Sequence, residues 1–275
     1  MIYVEAHGAR IPALGFGTFR LEGGVARRMV ACALEIGYRH IDTAQMYGNE
    51  AEVGEAIEAS PVARDEIWLT TKIWPDNFRD GDLQRAAAAS VERLRTVPDL
   101  LLLHWPNPRV PLQETIAALN EVKRLSLTRH IGISNCPRGL IRESVALSEE
   151  PLVLNQVEYH PYLSQRTVLD ELRRHGMALT AYSPVAQGQV FADETLRRIA
   201  ERHGKNPGQV TLRWLLQQDG VSAIPRSSRD AHARANFEIF DFELSADEMS
   251  EIAALASPGG RIVNPAGVAP QWDRD

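Results

Sequence analysis

The sequence predicts an α/β fold, a (β/α)₈ TIM barrel, on three observations. Eight short apolar runs rich in strand-forming residues recur along 275 residues. Segments whose apolar residues step by three or four separate them, the spacing of a helix packed on one face. Strands joined through crossover helices run parallel, and eight such units close on themselves in about 250 residues.

The elements follow in order. IYVEAHGARIPAL suits a small hairpin turning at His7–Gly8, ahead of the barrel. The first run, 13–17, continues as LGFGTFRLEGG. An open dinucleotide-binding sheet would show G-x-G-x-x-G there, so a closed barrel is favoured. Val25, Met29, Cys32 and Ile36 mark the first helix, and run 40–42 ends on Asp42. Asn49 is placed to cap a helix beginning at Glu50. Run 67–73 precedes the helix of Leu83, Ala87, Val91 and Leu94, and run 100–104 precedes that of Leu112, Ile116, Leu119 and Val122. Runs 130–133, 152–157, 178–182 and 221–225 complete the eight, and the tail beyond Ser257 has the glycine and proline content of a surface loop. No linker or repeat interrupts this alternation, so residues 1–275 are expected to form a single barrel domain.

Composition narrows the function. Hydrophobic residues make up 44% and charged residues 24%, which suits a globular chain, and the net charge of -6 offers no basic face for nucleic acid or an anionic membrane. The amino terminus lacks a basic start followed by an apolar core, and the longest aliphatic run, 100–103, is too short to span a bilayer. A cytoplasmic protein without membrane or nucleic-acid partners, acting as a monomer, is the expectation. Cys32 and Cys136 have no spacing that suggests a disulfide framework or a metal cluster, so no metal site is expected. Of the 30 basic residues only Lys72, Lys123 and Lys205 are lysine. Where charge alone suffices this chain uses arginine; a lysine marks a place that needs a compact, tunable ammonium.

In a (β/α)₈ barrel the reacting groups sit at the carboxyl ends of the strands. Those positions hold Asp42 and Tyr47, Lys72, His104, Ser134 and Asn135, Gln156, Tyr182 and Ser183. Alternation points Lys72 the same way as Thr70, into the mouth, where Asp42 of the neighbouring strand can pair with it. Each residue alone also suits a structural role: an ion pair, a core histidine, a capping aromatic, or, for Ser134 and Asn135, a helix cap. Together they form a chemical unit. A phenol of pKa about 10 is a poor acid at neutral pH, and an adjacent ammonium is expected to lower that value by roughly one to three units. A histidine beside it can hold a substrate oxygen. A Schiff-base lysine is disfavoured because Asp42 favours the protonated amine, and a non-catalytic binding barrel is disfavoured by the presence of all four groups.

GYRHIDTAQMYGNEAEVG, LTTKIW, LLLLHWP, GISN, NQVEYHPY, AYSP and IPRS, in this order over nearly the whole chain, resemble the aldo-keto reductases. The resemblance implies a nicotinamide cofactor bound without a Rossmann fold and a catalytic tetrad of Asp42, Tyr47, Lys72 and His104, with Tyr47 the general acid. It further implies that Ser134, Asn135 and Gln156 hold the carboxamide, that Tyr182 stacks on the nicotinamide with Ser183 beside it, and that Arg226, Ser227, His232 and Asn236 face the adenosine 2′-phosphate.

Here the sequence departs from the family pattern. Arg226 replaces the usual lysine, His232 replaces an arginine and Ala235 replaces a frequent glutamate. With a reference pKa near 6.5, His232 is mostly neutral at pH 7. The missing charged contact is worth roughly 1.5–3 kcal/mol, so NADPH is the expected cofactor with NADH tolerated. Phe19, Trp74, Trp105 and Trp272 are expected to line an apolar mouth for a small-molecule carbonyl substrate. The short chain is most similar to compact bacterial-type reductases of α-dicarbonyls and keto sugars, such as 2,5-diketo-D-gluconate reductases.

Overall fold

In the computed structural model, which describes residues 2–273, eight parallel strands lie side by side in sequence order: β3 (Phe16–Gly17), β4 (His40–Asp42), β5 (Trp68–Ile73), β6 (Leu100–Leu103), β7 (His130–Ser134), β8 (Leu152–Glu158), β9 (Ala178–Tyr182) and β10 (Val221–Ala223). The sheet closes where Gly15 N and Gly17 N donate to Ala223 O and Pro225 O at 2.8 and 3.0 Å, and Ala223 N returns a bond to Ala13 O at 2.8 Å. The first and last strands are shorter than the apolar runs suggested, because their outer residues join the closure as isolated bridges.

Ahead of the barrel, β1 (Tyr3–Ala6) and β2 (Ala9–Pro12) form the expected antiparallel hairpin. His7 and Gly8 both have positive φ, 48° and 82°, the backbone that a two-residue hairpin turn with the native twist requires. His7 Nε2 meets His175 O just before β9, which sets this turn at the strands' amino-terminal side, away from the residues of interest.

Helices follow the strands: α1 (Gly23–Ile36), α2 (Glu50–Glu58), α3 (Asp82–Leu94), α4 (Leu112–Arg124), α5 (Arg138–Leu147), α6 (Arg166–Arg174), α7 (Glu194–His203), α8 (Pro207–Leu216), α9 (Asp230–Phe237) and α10 (Ala246–Ala253). Their starts carry local chemistry: Asn206 and Gln209 form a capping box ahead of α8, with Pro207 at its first position, and Ser245 and Glu248 do the same for α10. The helical jacket explains the four buried leucines of β6, since a parallel strand covered on both faces has no polar side. Polar side chains instead collect at the strands' carboxyl ends. Among the described residues no helix is long and apolar enough to cross a membrane.

Candidate active site

Asp42 ends β4 and Lys72 lies near the end of β5, the next strand. Both are buried, and Lys72 Nζ donates to Asp42 Oδ1 at 2.6 Å, to Thr43 O at 2.9 Å and to Tyr47 Oη at 3.2 Å. An ammonium has three donors, and all three are spent here. Because Tyr47 Oη accepts from Lys72, its own hydrogen remains to be donated, and no described residue accepts it. The other carboxylate oxygen of Asp42 accepts from Gln156 Nε2 at 2.8 Å, so one acid braces both the lysine and the glutamine of β8.

Tyr47 stands in a short turn of 3₁₀ helix, Gln45–Tyr47, between β4 and α2. Asn49 holds that turn. It precedes α2 as expected but makes no side-chain cap; Asn49 Oδ1 accepts from Thr43 Oγ1 at 2.7 Å, and Nδ2 donates to Thr18 O and Leu21 O at 2.9 and 2.8 Å. The residue thus ties the loops after β3 and β4 together.

The expected acidification of the phenol is corrected by the geometry. Burial pushes the Tyr47 hydroxyl well above its ordinary range, and the Asp42 charge pushes the same way. Asp42, 2.6 Å from the ammonium, offsets the lysine's field. Burial also lowers Lys72, against the opposing pull of Asp42. His104, just past β6, is held well below the usual imidazole range by burial and then by Lys72, so it is neutral. Its ring lies 5.7 Å from that of Tyr47. His104 Nδ1 is buried with no partner among the described residues.

Beside this group the carboxamide candidates form one network. Ser134 Oγ donates to Gln156 O at 2.7 Å, Asn135 Nδ2 to His104 O at 3.0 Å, and Tyr182 Oη to Asn135 Oδ1 at 2.8 Å. Ser134 and Asn135 do not cap α5; Pro137 occupies that position. Asn135 and Ser183 both adopt positive φ, 60° and 49°, directly after their strands, a strained backbone of the kind stored at functional sites. The arrangement fits a nicotinamide. Gln156 Oε1 accepts from no described residue, amide and hydroxyl groups surround it, and the half-exposed Tyr182 ring is tethered by its hydroxyl as a flat platform.

The phosphate candidates are less gathered. Arg226 turns its guanidinium onto Phe19 O and Arg20 O at 3.1 and 2.9 Å, and Ser227 Oγ closes a local turn with Arg229. His232 is exposed and Asn236 partly so on α9, with no hydrogen bond to Arg226. The arginine at 226 still fits an anion, since Nη1 bonds no described residue.

All four aromatic candidates stand near the mouth. Phe19 is 5.0 Å from Tyr47, Trp74 is 5.4 Å from His104, and Trp105 is 6.2 Å from Trp272, ring to ring. Trp272 belongs to a tail that lies against the residues following β6, β7 and β8. What sequence reasoning missed is the anchor of that tail: Glu158, the last residue of β8, accepts from Ile262 N and Val263 N at 2.7 and 2.9 Å. Alternation could have found it, because Glu158 lies two residues past Gln156 on the same face.

Comparison with known proteins follows the same lines. The Aldo/keto reductase family profile matches residues 13–257. The chain is 43% identical over 267 residues to methylglyoxal reductase DkgB of Salmonella typhi, covering 96% of this chain and 99% of that one. It is 40% identical over 255 residues to glyoxal reductase of Bacillus subtilis (strain 168), covering 92% of each. A solved structure provisionally assigned as a 2,5-diketo-D-gluconic acid reductase B superposes with a TM-score of 0.97 at 51% identity, over 99% of this chain and 97% of that one. A mutant of Gox0644 in complex with NADPH superposes at 0.90 and 33% identity, over 95% and 96%. The chain belongs to the aldo/keto reductase family, enzymes that reduce carbonyl compounds with a nicotinamide cofactor.

Proposed function

We propose that this enzyme reduces small α-dicarbonyls and keto sugars with NADPH, tolerating NADH, and that Tyr47 is the general acid. The observation that carries the reading is the direction of one hydrogen bond: Lys72 Nζ donates to Tyr47 Oη at 3.2 Å, leaving the phenolic hydrogen for a substrate oxygen. A reduced nicotinamide held there would supply hydride to the carbonyl carbon. Neutral His104 orients the carbonyl through Nε2, and Tyr47 gives its proton to the oxygen as negative charge builds there. A phenol of raised pKa serves this step because the acceptor is becoming an alkoxide, a stronger base. The charge then left on Tyr47 lies against the Lys72 ammonium, whose effect is therefore felt in the transition state rather than at rest. Asp42 keeps Lys72 charged and in place, which also leaves no free amine for Schiff-base chemistry.

Ser134, Asn135 and Gln156 would hold the carboxamide, Tyr182 would carry the ring with Ser183 at the turn behind it, and Arg226 with Ser227 would take the 2′-phosphate. His232 and Asn236 lie on the adjoining helix, the histidine supplying less charge than an arginine. Phe19, Trp74, Trp105 and Trp272 would exclude water from the carbonyl. The substrate class is supported by similarity to the methylglyoxal and glyoxal reductases. The test is consumption of reduced nicotinamide, followed by absorbance with methylglyoxal, glyoxal and 2,5-diketo-D-gluconate, separately with NADPH and NADH. Turnover with NADPH, and weaker turnover with NADH, is expected. No oxidation with any carbonyl would refute the function, and undetectable NADH binding would refute the reading of His232.

A further inference from the structure

We propose that Glu158 is a positioning residue for substrate binding: its buried carboxylate moors the carboxyl-terminal strap at the side of the barrel mouth and so fixes where Trp272 stands. The inference rests on the mouth being the carbonyl site. Glu158 is 0% exposed. Oε1 accepts from Ile262 N at 2.7 Å and faces His160 Nε2 at 3.0 Å, while Oε2 accepts from Val263 N at 2.9 Å with Arg261 Nη1 at 3.6 Å. A carboxylate sealed from water is tolerated only where donors meet its oxygens. Three of these four donor groups come from one segment of the tail, so that segment and the acid require each other.

The strap is constrained before and after this point. Ser257 N donates to Tyr162 O at 3.1 Å. Gly260 passes so close to the Tyr162 carbonyl that a β-carbon there would overlap it. Beyond the mooring, the Arg261 guanidinium carbon sits 3.6 Å from the centre of the Trp272 ring, and Trp272 Nε1 donates to Asn264 Oδ1 at 2.9 Å. Asp273 Oδ2 then accepts from Arg138 N at 2.7 Å, the first residue of α5. Trp272 therefore hangs between two fixed points and against Trp105, which follows His104 in the chain. None of the mooring contacts involves Asp42, Tyr47, Lys72 or His104. Releasing the strap should accordingly move the aromatic wall that receives substrate and leave the proton-transfer group in place.

The experiment measures kcat and KM for methylglyoxal, the NADPH dissociation constant, and amide hydrogen exchange at Ile262 and Val263, in Glu158→Gln and again with Trp272→Ala. The expected result is faster exchange at both amides and a KM raised about tenfold, the scale of one lost charge-assisted hydrogen bond. The NADPH constant should stay within about twofold and kcat should change less than KM. Trp272→Ala alone should raise KM similarly, and adding Glu158→Gln to it should raise KM no further, as expected for residues acting through one element. Glu158→Asp, which keeps the buried charge but shortens its reach, gives the same comparison if the glutamine variant fails to fold. Amides as protected as in wild type would overturn the mooring. Faster exchange with unchanged KM, or KM effects that add, would overturn its role in substrate binding. Absence of turnover by the wild type would instead sink the proposed function, and the exchange measurement would still report on the mooring.

Discussion

At the barrel mouth, Asp42, Lys72 and Gln156 are at most 2% exposed and are linked by hydrogen bonds through Asp42, whereas around α9 the arginine at 226 and His232 are exposed and two of the arginine's nitrogens rest on backbone carbonyls. The first region is assembled before any ligand arrives; the second offers its charge only at the surface. Burial accounts for the contrast. A lysine inside a barrel must find its acid, and the acid its remaining donor, so geometry is over-determined. An exposed guanidinium or imidazole has water as an equal partner, and its position is set by whatever binds.

The largest effect on this contrast is expected from Lys72→Met. It leaves Asp42 buried without its cation, which should cost roughly 3–5 kcal/mol of stability, and it removes the group that stabilises the deprotonated phenol, lowering turnover by about 10²–10⁴-fold. Urea unfolding and kcat for methylglyoxal check the two effects; a stable, active variant would mean the mouth is not built on this pair. His232→Arg works on the exposed region and should restore one charged contact, raising the preference for NADPH over NADH by about ten- to a hundredfold with stability nearly unchanged. Dissociation constants for both cofactors decide it, and an unaltered ratio would show that position 232 does not face the phosphate.

A smaller effect separates buried from exposed groups by pH. His40, His104 and His130 are lowered chiefly by burial. Their neutral forms are favoured in the folded state, so the unfolded chain binds protons first as pH falls below about 6.5, and stability present above that value is lost below it. Glu171, lowered to about 2 from 4.5 chiefly by its bond to Arg142, adds a second loss as pH falls through that interval. The urea midpoint should therefore decline in two steps on acidification below pH 7. A midpoint that holds level from pH 7 down to pH 3 would contradict these directions.

Much of this was legible in the sequence, for reasons that differ by residue. Strand order and the four catalytic candidates followed from apolar spacing and from polar residues at strand ends, because a closed parallel barrel converts chain order into spatial order. The hairpin turn was marked by His7–Gly8. The sign of the Tyr47 shift was missed, since it depends on how completely the ring's hydroxyl is buried and how near Asp42 lies to Lys72. Asn49 was placed correctly, but its partners Thr18 and Leu21 lie in another loop. The mooring at Glu158 joins residues 104 apart, and nothing local in the tail announces it.

Whether Tyr47 donates the proton is decided by a single-turnover measurement of methylglyoxal reduction, wild type against Tyr47→Phe, with NADPH affinity measured alongside. Because His104 stays neutral to below 6.5 and Tyr47 holds its proton beyond 10, neither should impose a break on the wild-type rate constant between those values, and a fall on the alkaline side would report the lowered Lys72. Tyr47→Phe should lower it by about 10²–10⁴-fold while NADPH binding changes by no more than about twofold. A phenylalanine variant that reduces the carbonyl at the wild-type rate would contradict the assignment of Tyr47 as the proton donor.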